Sequence, residues 1–209
     1  MSNPGYRGKL AVGVLLMLAA TACGAPRTSF YTLQLASPVQ SASASRGQLG
    51  VEAPRASHLL RQDRIVYFTQ QNQLNFYQYH RWAEPPVFMV QSLLIRQLQG
   101  ARLFDHVMPY RAQKGLDYLL RGRLLALEEV DGSAAGITAR FGLELELVRQ
   151  KDAEVVWTGR ASRERPVSEK TMEAVVEAMS GCVEESLEEL TRSMGAALSE
   201  LEAVEGASR

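Results

Sequence analysis

The residues best suited to metal or nucleophilic chemistry are three histidines and two cysteines. His58, His80 and His106 lie far apart, without an i, i+4 pair or a cysteine pair, so the spacing of a zinc site is absent. The sequence also lacks the Gly-x-Ser-x-Gly elbow, the phosphate-cradling Gly-x-x-x-x-Gly-Lys loop and a dinucleotide fingerprint. We therefore expect no catalytic residue, no metal and no cofactor.

Carboxylates gather toward the C-terminus, where residues 168 to 209 hold ten Glu. The densest group is Glu184, Glu185, Glu188 and Glu189. Paired carboxylates can act as general acid and base, but such a run within a helical pattern is typical of a solvated face. We interpret it as surface.

A further cluster combines Arg61, Arg64 and Arg81 with aromatic residues. The aromatic residues are Tyr67, Phe68, Phe76, Tyr77, Tyr79 and Trp82. Basic and aromatic side chains together can bind single-stranded nucleic acid. Packing within a β-hairpin explains the same pattern better, and we expect no nucleic acid partner.

The N-terminus has the order of a secretory signal. Arg7 and Lys9 precede an apolar run from Leu10 to Met17, and small residues follow. Only about fourteen residues separate Lys9 from Gly24, whereas a membrane-spanning helix needs roughly 20 apolar residues. The segment is therefore too short to be a comfortable transmembrane anchor.

Cys23 follows the small-x-small cleavage site of residues 20–22 and so resembles the acylated cysteine of a bacterial lipobox. Ala20 stands where lipoboxes usually carry leucine. We predict a signal peptide over 1–22, lipid on Cys23 and a tether over 23–29. Each buried methylene contributes roughly 0.8 kcal/mol, so several chains would hold the protein firmly on a membrane.

The predicted mature chain is close to neutral. Cleavage removes two basic residues and leaves 21 basic against 23 acidic, a net charge of about −2. Residues 23 to 167 are net basic by about five, which could favour anionic lipid or nucleic acid, although a solvated mixed surface is the better account. Roughly 187 residues suit one domain, in which Cys182 is expected as a small buried hydrophobe.

Extended segments are predicted throughout the first two thirds of the chain. Residues 30–35 and 49–53 resemble strands on either side of a Ser- and Ala-rich loop, and residues 65–69 and 74–79 resemble a hairpin. A short strand is predicted at residues 104–107. Three longer segments then form a meander: they are 117–128, 137–147 and 155–161, with turns at Asp131-Gly132 and Lys151-Asp152.

Two helices complete the prediction. One begins at Pro86 and ends at Gly100, and the other runs from an N-cap at Ser168 to Ala203 with one apolar stripe along it. We therefore predict an α+β fold in which two helices pack on one face of an antiparallel sheet. The single two-layer domain would span 30–203, followed by a tail over 204–209.

Four short motifs follow one another along the chain. They are Phe-Tyr-Thr-Leu at 30–33, Leu-Arg-Gln-Asp-Arg-Ile-Val-Tyr at 60–67, Tyr-His-Arg-Trp-Ala-Glu-Pro-Pro at 79–86 and Phe-Asp-His-Val at 104–107. In this order and spacing, shortly after Cys23, they resemble the ABC-type transport auxiliary lipoprotein family, which includes PqiC-like subunits. The resemblance covers most of residues 23 to 200.

The resemblance implies a non-catalytic periplasmic subunit that works beside an ABC permease and ATPase and a substrate-binding protein of the mammalian-cell-entry (MCE) type. Such a system moves lipid across the cell envelope and maintains its integrity. The subunit would be anchored by its lipid, and it could contact phospholipid and form a homo-oligomer. Gly24, which is not the aspartate that retains lipoproteins at the inner membrane, indicates the outer membrane. The alternative is a structural lipoprotein that assists assembly or localisation of another outer-membrane complex.

Arg81, Trp82 and Glu84 in the third motif have two interpretations. They could contact a partner or lipid, or Trp82 could simply fill the corner between hairpin and helix. Glu84 would also stabilise the following helix through its charge near the N-terminus.

Overall fold

The structure is a computed structural model, and it describes residues 27–36, 46–69, 73–133 and 136–207. The predicted signal peptide, Cys23 and the start of the tether lie outside the described residues, as does most of the predicted loop after residue 36.

The described residues form nine strands and two α-helices. The strands are β1 (Ser29–Tyr31), β2 (Gln48–Val51), β3 (Arg55–Ala56), β4 (Arg64–Thr69), β5 (Gln73–Trp82), β6 (His106–Pro109), β7 (Tyr118–Ser133), β8 (Gly136–Arg149) and β9 (Glu154–Pro166). The helices are α1 (Pro86–Ala101) and α2 (Met172–Ala207).

β7, β8 and β9 form the antiparallel meander that the alternating pattern predicts. Successive side chains of a strand point to opposite faces, so one face of β8 is apolar and buried. Its core residues are Ala139, Phe141, Leu143, Leu145 and Leu147. The two strands extend beyond the predicted turn, because Ser133 still pairs with Gly136.

β7 lies at the centre of the sheet and joins two groups of strands. Its first half pairs in parallel with β2 and β3, and its second half pairs in parallel with β4. β4 and β5 form the predicted hairpin, while β1 pairs in parallel with the end of β5. The sheet is thus antiparallel in its meander and hairpin, with parallel pairs between segments that are distant in sequence.

Both helices pack on the apolar face, which confirms the predicted two-layer arrangement. The register places Val51, Leu120 and Leu147 on one face, and all three side chains are fully buried. α2 covers β8 and β9, whereas α1 contacts β6, β2 and α2. The buried side chains of both helices belong to one core with those of the sheet.

The first strand is shorter than predicted. β1 ends at Tyr31 and the chain then leaves the sheet, because the next segment bonds to α2. The amides of Gln34 and Ala36 donate to Ser180 Oγ at 3.2 Å and to Glu184 Oε1 at 2.8 Å.

The N-cap prediction at Ser168 is wrong. α2 begins at Met172, and the Ala174 amide donates to Thr171 Oγ1 at 3.3 Å. Thr171 therefore caps the helix in place of Ser168. At the other end α2 continues to Ala207, past the predicted end at 203.

Candidate functional site

The predicted contact residues lie where β1, the end of β5 and the start of α1 meet, and we call this region the tether corner. Phe30 is in register with Arg81, and Tyr31 with Trp82. The Ala83 amide donates to the Tyr31 carbonyl at 2.7 Å. On the other side of β5, the Trp82 amide donates to the carbonyl of residue 63 at 2.8 Å. Backbone bonds from two directions therefore fix the position of the Arg-Trp-Ala segment.

A bulge in β5 shapes the tether corner. Arg64 pairs with Arg81 and Val66 pairs with Phe76, so Ile65 alone lies opposite residues 77–80. Extra residues in one strand bend it and redirect side chains, a feature common beside functional sites. The bulge leaves residue 79 on the surface and brings the half-buried residues 77 and 80 close together, with their rings 5.7 Å apart.

The outer side of the tether corner is aromatic and partly charged. Phe30 is 64% exposed and Tyr79 is 38% exposed. Arg81 Nη1 donates to both carboxylate oxygens of Asp63, at 3.0 and 3.1 Å. Because both side chains are partly exposed, this pair contributes at most about 1 kcal/mol to stability. The surface therefore offers large apolar side chains next to a guanidinium.

Trp82 occupies the opposite side, where it is only 1% exposed. This is the position expected of an aromatic residue that fills the corner between hairpin and helix. Among the described residues, its Nε1 has no hydrogen-bond partner. A partner or a lipid would not reach this side chain in the folded chain. Contact with a partner or lipid stays a prediction for Arg81 and for Glu84, which is exposed just before α1.

Tyr31 links the tether corner to α2. Its hydroxyl donates to Glu173 Oε1 at 3.2 Å and lies 3.0 Å from His80 Nδ1. Because the single hydroxyl proton is donated to Glu173, His80 Nδ1 must carry a proton of its own and donate it to the tyrosine oxygen. Burial, and then Glu173, raise the pKa of Tyr31. One aromatic residue thus connects β1, β5 and the first turn of α2.

A buried carboxylate lies next to this group. Glu129 in β7 is 2% exposed, and the Tyr77 hydroxyl donates to its two carboxylate oxygens at 2.8 and 3.0 Å. Burial raises the pKa of Glu129, while the hydrogen bond from Tyr77 acts in the opposite direction. Burial and the same carboxylate raise the pKa of Tyr77. Glu129 has no sequence signal of its own, because a bulge after Leu124 reverses the alternation of β7 and turns Glu129 inward.

The carboxylates of α2 and the thiol of Cys182, which were also considered for chemistry, have structural roles. In α2, Glu185 receives a bond from Arg165 at 2.6 Å and Glu189 pairs with Arg163, so these carboxylates join the helix to β9. Cys182 is buried as predicted, and burial raises the pKa of its thiol to about 11.

No group of His, Cys, Asp and Glu in the described ranges has the arrangement of a metal site. No helix within those ranges is long and apolar enough to cross a bilayer.

Comparison with known proteins gives the family. A model of the family described as ABC-type transport auxiliary lipoprotein component matches residues 31–191. The chain belongs to this family. As an auxiliary lipoprotein component of an ABC-type transport system, it is a protein of the cell envelope, and the family description is of a transport component rather than an enzyme.

Solved structures agree with this auxiliary lipoprotein fold. The crystal structure of protein XCC0632 from Xanthomonas campestris is 20% identical, with a TM-score of 0.72 over 84% of this chain and 99% of that chain. A second crystal structure, of an uncharacterized protein, is 16% identical, with a TM-score of 0.63 over 80% of this chain and 99% of that chain. At such identities the likeness shows the fold alone. No curated protein matches the sequence.

Proposed function

We propose that this auxiliary lipoprotein is the lipid-anchored, non-catalytic periplasmic subunit of an MCE-type lipid transport system, held at the outer membrane through Cys23. It would dock on the MCE-type substrate-binding protein of an ABC permease and ATPase complex and help to keep the envelope intact. The observation that carries the proposal is the family match over 31–191.

The distance between Cys23 and the tether corner supports a membrane-proximal role for that corner. Phe30 follows Cys23 by seven residues. A fully extended chain of that length spans at most about 25 Å. An acylated Cys23 would therefore keep Phe30, at the start of the tether corner, within about 25 Å of the membrane surface.

The chemistry of the tether corner also suits this position. Phe30 and Tyr79 are exposed, and Arg81 lies in register with Phe30. Aromatic side chains with a polar end are enriched at membrane interfaces, and arginine places its charge in water while its stem covers apolar surface. We propose that Phe30, Tyr79, Arg81 and Glu84 form the surface that meets the membrane or the transport partner, and that Trp82 supports it from below.

Photo-crosslinking in cells tests the partner. A photoreactive amino acid at position 30, 81 or 84 should capture the MCE-type protein or phospholipid, identified by mass spectrometry. The matched control is Arg192, which is exposed on α2 about 28 Å along the helix from Glu173. Capture of an unrelated outer-membrane assembly at the three test positions would instead support the structural alternative. Equal capture at position 192 would contradict a docking role for the tether corner.

Two further measurements test the anchor and the role in the envelope. Mass spectrometry of the mature N-terminus should find acylated Cys23, whereas an unmodified cysteine or another first residue would remove the tether. Deletion of the gene, in a strain without redundant transport systems, should increase detergent sensitivity and disturb lipid asymmetry. Normal values for both would oppose the lipid-transport role.

A further inference from the structure

The outer face of the meander, opposite the helices, is mostly a surface of paired charges. Arg121 bonds to Glu146 at 3.0 Å, and Arg160 bonds to Glu144 at 3.1 Å. Farther along, Arg140 contacts two carboxylates. Such cross-strand pairs are the usual way in which a solvated sheet face balances its charges.

Two arginines depart from that pattern. Arg55 in β3 and Arg123 in β7 are in register on adjacent parallel strands, so two like charges lie side by side. Like charges placed directly opposite one another oppose strand pairing. Glu144 is in register with Arg123, but its carboxylate bonds to Arg160 on the far side. Within the described part of the chain, Arg55 and Arg123 have no carboxylate within ion-pair distance, and both are exposed.

These two arginines line a concavity of about 480 Å³. Its other lining residues are Arg121, Gly122, Glu144 and Glu146. Three guanidinium groups therefore face two carboxylates, and each carboxylate already has an arginine partner. A guanidinium presents a planar fork of donors that matches a phosphate group, and the unpaired charges of Arg55 and Arg123 point to an anionic ligand.

We propose that Arg55 and Arg123 form a binding site for a phosphate group on the outer face of the sheet. The phosphate could belong to a phospholipid headgroup or to free inorganic phosphate, since the two share this chemistry. The headgroup source rests on the lipid-transport function proposed above. The site lies outside the tether corner, on a different group of strands.

Calorimetric titration of the full-length chain in an uncharged detergent tests the site. The probes are inorganic phosphate, dihexanoyl phosphatidylglycerol and dihexanoylglycerol, which has the same acyl chains without the phosphate. Ionic strength is held low and constant, because salt screens exposed charges. We expect binding of the two phosphate-containing probes and none of dihexanoylglycerol.

The variants are Arg55→Gln, Arg123→Gln and the double variant. Each substitution should weaken phosphate binding about tenfold, because each removes one charge-assisted set of hydrogen bonds. Arg123→Lys keeps the charge but loses the planar fork, so its affinity should lie between those of wild type and Arg123→Gln. Arg192→Gln, a change at an exposed arginine on α2, should leave the affinity within about twofold, because it lies outside the concavity. A melting curve for each variant checks that it is folded.

The outcomes separate the two sources and the two proposals. Tighter binding of the phosphatidylglycerol than of phosphate, lost in the double variant, supports a headgroup site. Equal affinities that are both lost in the double variant support a site for the free ion. Unchanged affinity in the double variant, or no binding of either probe, overturns the site. Failure of the phosphate site in either of these ways would leave the in-cell crosslinks, on which the transport function depends, unchanged. Conversely, loss of those crosslinks with phosphate binding intact would reject the transport function alone.

Discussion

The meander of β7 to β9 and the tether corner differ in how their side chains are buried and paired. In the meander, apolar residues on one face are buried and charged residues on the other mostly pair across strands. In the tether corner a bulge interrupts the strand pairing, and large aromatic side chains remain exposed. The regular region behaves as a scaffold, whereas the irregular region leaves apolar surface in water, where it adds little to stability. This difference indicates where contacts with other molecules are to be sought.

The largest expected contrast comes from one phenylalanine in each region. Phe141→Ala should lower the free energy of unfolding by about 3–5 kcal/mol, because it removes a fully buried ring and leaves a cavity. Phe30→Ala should change it by no more than about 0.5 kcal/mol, because Phe30 is 64% exposed. Urea unfolding measures both values. Similar losses for the two variants would end the distinction between scaffold and contact surface.

The two tryptophans sharpen the comparison. Trp157 Nε1 donates to Ser193 Oγ at 3.1 Å, whereas Trp82 Nε1 has no acceptor within the described residues. Trp82→Phe should cost about 1–2 kcal/mol through the smaller ring alone. Trp157→Phe should cost about 0.5–1.5 kcal/mol more, because it also loses a hydrogen bond. Equal losses in urea unfolding would mean that the indole of Trp82 has an acceptor after all.

Glu129 tests the buried carboxylate behind the tether corner. Glu129→Leu should cost about 1–3 kcal/mol, because the Tyr77 hydroxyl loses its acceptor. Glu129→Gln keeps an acceptor and should be close to wild type at pH 7. Chemical unfolding of the three proteins compares them.

The pH dependence of these proteins has a definite sign. Burial raises the pKa of Glu129 in the folded state, so the folded protein takes up a proton before the unfolded chain does as pH falls. The contribution of Glu129 to stability therefore increases as pH falls through the raised folded pKa toward the unfolded value of about 4.3. Wild type should gain stability relative to Glu129→Gln over a series from about pH 7 to about pH 4.5. A constant difference between the two proteins would contradict the raised pKa.

Substitution of Arg81 should change stability only slightly and should act mainly on contacts. Arg81→Gln removes a partly exposed pair with Asp63 and should cost at most about 1 kcal/mol. Its effect should appear instead as reduced crosslinking at position 30 in cells. Asp63→Asn removes the same ion pair while keeping the arginine, so it is the matched control. Equal crosslinking in wild type and both variants would remove Arg81 from the proposed surface.

The sequence predicts the regular region better than the irregular one. Period-two alternation located β8, and apolar residues at helical spacing located both helices, because these signals are local. Parallel pairs such as Val51 with Leu120 join segments far apart in sequence, so no local pattern reveals them. The bulge after Leu124 accounts for the even apolarity of β7, which gave no indication that Glu129 faces inward.

For the candidate site, the motif at 79–86 marks the tether corner in the sequence, but it does not show which of its side chains are buried and which are exposed. Trp82 lies on the buried face of β5, and this position becomes visible only when β1 is seen to pair with that strand. The meeting of Tyr31, His80 and Glu173 depends on three elements that are distant in sequence. Such convergence follows from tertiary packing and has no local sequence signal.

The short first strand also decides how the domain bears mechanical load. A pull on the chain before Ser29 reaches the domain through β1, which contributes only three residues to the sheet. If that strand detaches, the force passes next to the bonds of Gln34 and Ala36 with α2, and so to the core. The edge of the sheet can therefore yield under tension, and lengthen the link to the anchor proposed at Cys23, while the meander stays folded.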